Sequence, residues 1–332
     1  MGEFDIIARH FAPLSTGEPG AFNLKDDAAV LDVAAGQQIV VTSDCLISDV
    51  HFLANDPADR IAHKALAVNL SDLAAMGAEP RAYTLACAWP KSINDTWLKT
   101  FSDGLCKAQN TWRVTLIGGD TVATDGPLTL TVTAFGMVGE GNALRRSGAG
   151  AGDDVYVTGT IGDAALGLLL RQGKLEDRLK TSISGPDQDH LTDRYLSPEP
   201  RIGVGEHLVG IASGTMDISD GLVADLTHIC NASALSADIQ ADRIPISTAA
   251  SHLLQSDPKL FEVLITGGDD YELLFTAPES RRGSIDALSD THSTLITRIG
   301  SMGKKGDTPK VRVMGGNGDE LEIINKSGYR HF

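Results

Sequence analysis

Aspartates recur along this chain at predicted turns beside Gly, Ser or Thr: Asp26-Asp27, Thr42-Ser43-Asp44, Asp72, Gly118-Gly119-Asp120, Asp217-Ile218-Ser219-Asp220-Gly221 and Gly267-Gly268-Asp269-Asp270. Several follow short apolar, β-branched runs and are expected at strand ends, where sheet-based enzymes converge their polar groups. That many carboxylates cannot crowd together unless cations offset their repulsion. The pattern predicts a sheet-based, metal-dependent handler of phosphates.

Periodicity supports this class. Strand-like runs at 38–42, 81–89 and 114–117 alternate with helical apolar spacing over 59–76 and 95–108. From 127 to 138, Leu128, Leu130 and Val132 interleave with Thr129, Thr131 and Thr133, the period-two signature of a half-buried strand. A second series predicts a strand at 154–158, helices at 163–170 and 222–230, a turn at 215–221 and a strand-to-turn passage at 263–270. The expected fold class is α/β or α+β. A length of 332 residues favours two domains, and the small-residue stretch from Ser147 to Asp153 reads either as their boundary or as an ordinary loop. The corresponding division is 1–148 and 149–332.

The charge of −16 argues against a nucleic-acid groove or an anionic membrane surface. The start shows no signal peptide, and no apolar run approaches the roughly 20 residues of a membrane span, so a cytoplasmic location is expected. Cys45, Cys87, Cys106 and Cys230 have neither zinc-site nor disulfide spacing and read as buried free thiols. No P-loop, protein-kinase motif set or dinucleotide fingerprint is present, so ATP would have to be bound by another fold.

Each acidic motif has two readings. Asp26-Asp27 is a solvated turn or a metal ligand beside a cap. Thr42-Ser43-Asp44 offers hard oxygen ligands of the kind Mg²⁺ accepts. Asp72 shares a helix face with Asn69, and the helix dipole disfavours an unpaired acid near a C-terminus. The glycines before Asp120 and after Asp220 let backbone approach a phosphate closely.

Taken together, Asp26-Asp27-Ala28, Thr42-Ser43-Asp44, His51-Phe52, the stretch from Lys64 to Ala78, Gly118-Gly119-Asp120-Thr121, Arg146-Ser147-Gly148-Ala149, the stretch from Asp217 to Leu222, Gly268-Asp269-Asp270-Tyr271-Glu272-Leu273 and the closing Gly328-Tyr329-Arg330-His331-Phe332 resemble the thiamine-monophosphate kinases. These are members of the aminoimidazole-ribonucleotide synthetase-like ATP-binding superfamily. The resemblance runs over essentially the whole chain and departs from the family at Lys25 and Asp269.

The resemblance implies two α/β domains, the N-terminal one binding ATP and Mg²⁺ and pairing with a second subunit so that its strands form a β-barrel across a homodimer. It implies transfer of the ATP γ-phosphoryl group to thiamine monophosphate, with several Mg²⁺ ions held by Asp27, Thr42, Ser43, Asp44, Asp72, Asp120, Asp217 and Asp220. ATP would be contacted by Gly119, Asp120, Arg146 and Ser219, and thiamine monophosphate by His51, Asp269 and Tyr329. No residue is expected to act as a general base, because the acceptor phosphate is already ionised. A selenophosphate synthetase would bring a reactive N-terminal Cys and a hydrogenase-maturation scaffold a C-terminal Cys, and this sequence has neither.

Overall fold

The computed structural model describes residues 3–304, 309–323 and 328. The chain divides into two compact units, Met1–Leu73 with Ala78–Ala143, and Ala74–Gly77 with Leu144–Phe332. The division at 143/144 precedes the small-residue stretch at 147–153.

The first unit contains β1 (Gln37–Ile47), α1 (Ala58–Ala75), β2 (Glu79–Pro90), α2 (Asp95–Trp112), β3 (Thr115–Thr124) and β4 (Thr129–Gly139). Its sheet has the order β1-β4-β2-β3; β4 runs antiparallel to both β1 and β2, and β2 runs parallel to β3. Alternation divides each strand between two faces. Leu130, Val132 and Ala134 lie on one face with Tyr83 and Leu85, all buried. The Tyr83 hydroxyl meets Gln109 of α2 at 3.2 Å, so that helix covers this face. On the other face Ile39, Val41 and Val122 remain exposed.

The strands are longer than the β-branched runs predict. β1 continues through Ile47 and β3 through Thr124, which places Thr42-Ser43-Asp44 and Gly118-Gly119-Asp120 inside strands rather than at turns. Pairing with β4 and β2 supplies hydrogen bonds that extend both segments past their strongly β-forming residues.

The second unit contains β5 (Asp154–Thr158), α3 (Asp163–Arg171), α4 (Gly185–Leu196), β6 (Gly214–Asp217), α5 (Leu222–Ser233), β7 (Ala237–Gln240), α6 (Thr248–Ser256), α7 (Leu260–Thr266), β8 (Leu273–Ala277), α8 (Arg282–His292), β9 (Ile296–Met302) and β10 (Val311–Met314). The six strands take the order β10-β7-β9-β5-β8-β6, and only β10/β7 is parallel. The core of this unit packs Val155 and Val157 of β5, Leu226 and Ile229 of α5, and Leu264 of α7. The passage at 263–270, expected to be strand to turn, is instead the end of α7 followed by a loop. Among the described residues no helix is long and apolar enough to cross a membrane. Cys87 and Cys230 are buried, but Cys45 and Cys106 are exposed, because strand and helix periodicity turn them outward.

Candidate active site

In the first unit β1 and α1 bring Thr42, Asp44 and Asp72 together. The Thr42 hydroxyl donates to Asp72 Oδ2. The Asp44 backbone N–H donates to Asn69 Oδ1 at 3.1 Å, and the buried Asn69 amide donates in turn to Ala65 O at 3.1 Å, which fixes its orientation. Burial and then the nearby Asp72 carboxylate push the Asp44 carboxyl up to about 6. A carboxylate raised in this way favours a proton or a cation at its oxygens.

Ser43 points to the opposite face, where its hydroxyl lies 3.2 Å from Val132 O and 2.9 Å from Thr133 Oγ1. Strand register puts Asp120 on that same face, since Cys45 pairs with Thr131, Thr131 with Ala86 and Ala86 with Asp120. Thr42 and Asp44, with Asp72, thus lie on one face of the sheet, and Ser43 and Asp120 on the other.

Beside β3 a cavity of about 330 Å³ is lined by Asp26, Asp27, Gly118, Gly119 and Asp120 together with apolar side chains including Phe11 and Leu116. Gly119 has no substitute here, because a Cβ would lie 1.9 Å from Leu85 O. Asp120 Oδ1 accepts the Thr121 N–H at 2.8 Å. His51 Nδ1 accepts the Ile47 N–H at 3.0 Å, which makes Nε2 the protonated nitrogen of the neutral ring and a donor suited to a phosphate oxygen.

In the second unit β6 ends at the buried Asp217, and the turn that follows holds Ser219 and Asp220. One oxygen of Asp225, on the first turn of α5, accepts the N–H groups of Ser219, Asp220 and Gly221 at 3.0, 3.0 and 3.1 Å. Burial and Asp220 push this carboxyl up to about 7 against the opposing effect of those three bonds. A second turn leans on the first: the Asp269 N–H donates to Ser219 O at 2.9 Å and the Tyr271 N–H to Ile218 O at 2.8 Å. Asp269 and Tyr271 have φ of +73° and +50°, and the Tyr271 hydroxyl meets Asp269 Oδ1 at 3.2 Å. Non-glycine residues in this region are held there by their surroundings.

The surroundings include Glu272, fully buried, which accepts Arg201 Nε and Nη2 at 2.7 and 2.6 Å, Arg194 Nη2 at 2.8 Å and the Thr158 hydroxyl at 2.6 Å. Asp270 accepts the Gly162 N–H on both oxygens, at 3.0 and 2.9 Å, and burial pushes its carboxyl well up. Arg146 is exposed, and the backbone carbonyl of the preceding residue, Arg145, accepts the Thr215 N–H at 2.8 Å. Gly328 packs at Asp220 O and Ala224; Tyr329 lies outside the described residues.

Sequence reasoning missed Asp225 and Glu272. Each stands within a quoted motif or three residues beyond one, but its role depends on backbone curvature that spacing does not display.

Among the described residues no three His, Cys, Asp or Glu side chains gather into a complete metal-ligating set. This donor chemistry fits Mg²⁺, which takes one or two carboxylates and completes its octahedron with water and substrate phosphates. Asp44, Asp72 and the Thr42 hydroxyl supply such a partial set.

Comparison with known proteins identifies the lineage. Residues 25–138 match the family model of the AIR synthase related protein N-terminal domain, and residues 150–311 that of its C-terminal domain. Thiamine-monophosphate kinase of Escherichia coli (strain K12) is 43% identical over 303 residues, covering 91% of this chain and 90% of that protein. Its counterpart in Bacillus subtilis (strain 168) is 34% identical over 341 residues, covering 100% of both. The crystal structure of thiamine-monophosphate kinase from Stenotrophomonas maltophilia K279a superposes with a TM-score of 0.79 at 43% identity, over 90% of this chain and 91% of that one. The structure of AaThiL complexed with AMPPCP and TMP gives 0.77 at 28% identity, over 92% and 91%. From its sequence and its fold alike, the chain belongs to the thiamine-monophosphate kinases of the AIR synthase related family.

Proposed function

We propose that this protein transfers the γ-phosphoryl group of ATP to the phosphate of thiamine monophosphate in the cytoplasm, giving thiamine diphosphate. The observation that carries the reading is the Asp44–Asp72 carboxylate pair with its Thr42 hydroxyl, a site built for a cation in a chain of this family. The related AaThiL, complexed with AMPPCP and TMP, supports the choice of both substrates.

The difficulty of the reaction is electrostatic. Donor and acceptor are both anions, and the acceptor oxygen is already ionised at neutral pH, so the protein's task is to align two phosphates rather than to remove a proton. Mg²⁺, when bound, supplies the positive charge that offsets their repulsion. Thr42, Asp44 and Asp72 are assigned to ions on the helix-covered face of the first sheet, Ser43 and Asp120 to ions on its open face, and Asp27 to ions at the cavity it lines with Asp120. Asp217 and Asp220 are assigned as the ligands of the second unit. Gly119 and Asp120 at the cavity, with Arg146 and Ser219, are assigned to ATP. His51 donates to the acceptor phosphate, Asp269 faces the cationic thiazolium, and Tyr329 completes the acceptor site.

Purified protein given ATP, Mg²⁺ and thiamine monophosphate is expected to accumulate thiamine diphosphate, followed by chromatography. ATP consumed without that product, or no product at all, would refute the assignment.

The N-terminal domain is also assigned to dimerisation. Ile39, Val41 and Val122 expose apolar surface on one face of an open sheet, and a second copy would bury it while closing the strands into a barrel. Sedimentation at micromolar concentration is expected to give twice the 35.0 kDa chain mass. A monomer there would remove the barrel from the model of the enzyme.

A further inference from the structure

Three consecutive backbone N–H groups aimed at one point form a nest, an arrangement that commonly receives a phosphate oxygen. At residues 219–221 the nest is filled from within by Asp225 Oδ2. Gly221 makes the curvature possible: its φ is +121°, and a Cβ there would lie 2.7 Å from Thr266 C and O. The filled turn supports a second one through the Asp269 N–H to Ser219 O and the Tyr271 N–H to Ile218 O. Contact is close enough that a Cβ on Gly268 would lie 2.1 Å from Ser219 O.

We propose that Asp225 is a positioning residue that couples the two substrates, holding the turn of Ser219 and Asp220 and, through it, the turn of Asp269. This rests on the assignment of Ser219 and Asp220 to ATP and its metal, and of Asp269 to thiamine monophosphate. Because Asp225 occupies the N–H groups of 219–221, the nucleotide side is met by the side chains of Ser219 and Asp220 rather than by a backbone cradle. A displacement of about 1 Å in such groups costs on the order of 100-fold in rate.

Asp225→Ala is expected to lower kcat by roughly 100-fold and to raise KM for ATP and for thiamine monophosphate together. A role confined to stability would reduce the active fraction, and hence kcat, at unchanged KM. Asp225→Asn retains an oxygen that can accept the three N–H groups and is expected to restore most of kcat, with both KM values shifted in the same direction by a smaller factor. Amide hydrogen exchange on either variant without substrate supplies a reading independent of turnover: exchange should accelerate at 219–221 and also at 269 and 271. A KM change for one substrate alone, or exchange unchanged at 269 and 271, overturns the coupling. Wild-type protein that makes no thiamine diphosphate counts against the functional assignment instead, and the exchange result still decides whether Asp225 joins the two turns.

Discussion

Asp44→Asn is expected to lower kcat by more than about 100-fold while the protein stays folded, because loss of even the outer-shell partners of a metal ligand costs roughly 10–100-fold. The same variant should gain stability when no metal is present. The folded-state pKa of Asp44 lies near 6, above its unfolded value of 3.8. A carboxyl raised on folding contributes stability that is fully present below the unfolded value and lost as pH rises through the folded one. Wild-type protein in EDTA should therefore lose more stability between about pH 4 and pH 6 than the asparagine variant, which keeps only the contributions of other raised carboxyls such as Asp225 and Asp270. At pH 8 the variant's advantage is about 1–2 kcal/mol once solvent screening is allowed for. Urea denaturation at pH 4 and pH 8 with turnover at saturating Mg²⁺ checks both halves. Near-normal turnover would take Asp44 out of the metal set.

Glu272→Ala is expected to be the most damaging substitution for stability in the second unit. It leaves Arg194 and Arg201 without their shared buried carboxylate and deprives the Thr158 hydroxyl of its acceptor. Breaking a buried pair from one side costs about 3–5 kcal/mol, which for a unit of this size lowers Tm by roughly 10 °C. Thermal unfolding followed by circular dichroism measures it, and a shift of only a degree or two would mean that the arginines find other partners. Glycine at 159 belongs to the same arrangement, since a Cβ there would lie 2.1 Å from Glu272 Oε1.

Local periodicity carried much of the fold. The spacing of Ile61, Ala65, Val68 and Leu73 marks α1, and the Leu/Thr alternation marks β4, because both report burial on one face. It failed where tertiary pairing decides. Gly118-Gly119-Asp120 reads locally as a turn but is held extended against β2. Leu264-Ile265-Thr266 reads as β-branched strand but completes α7, whose Leu264 and Ile265 are buried in the core. The acidic motifs were legible as a chemistry but not as an arrangement. Sequence alone does not show that Ser43 turns away from its neighbours, nor that Asp225 reaches back over the turn that precedes its own helix.

The two turns that lean on each other, at 218–221 and 267–271, also restrict how such a chain can change length. A residue inserted in either would slide its amides past the carbonyls they meet, and the bare α-carbon of Gly268 leaves no room to bulge sideways. The turns can drift in sequence only as a matched pair, whereas the mostly exposed stretch at 171–182 is open to insertion. Engineering a new acceptor specificity by loop exchange would therefore require transplanting both segments at once.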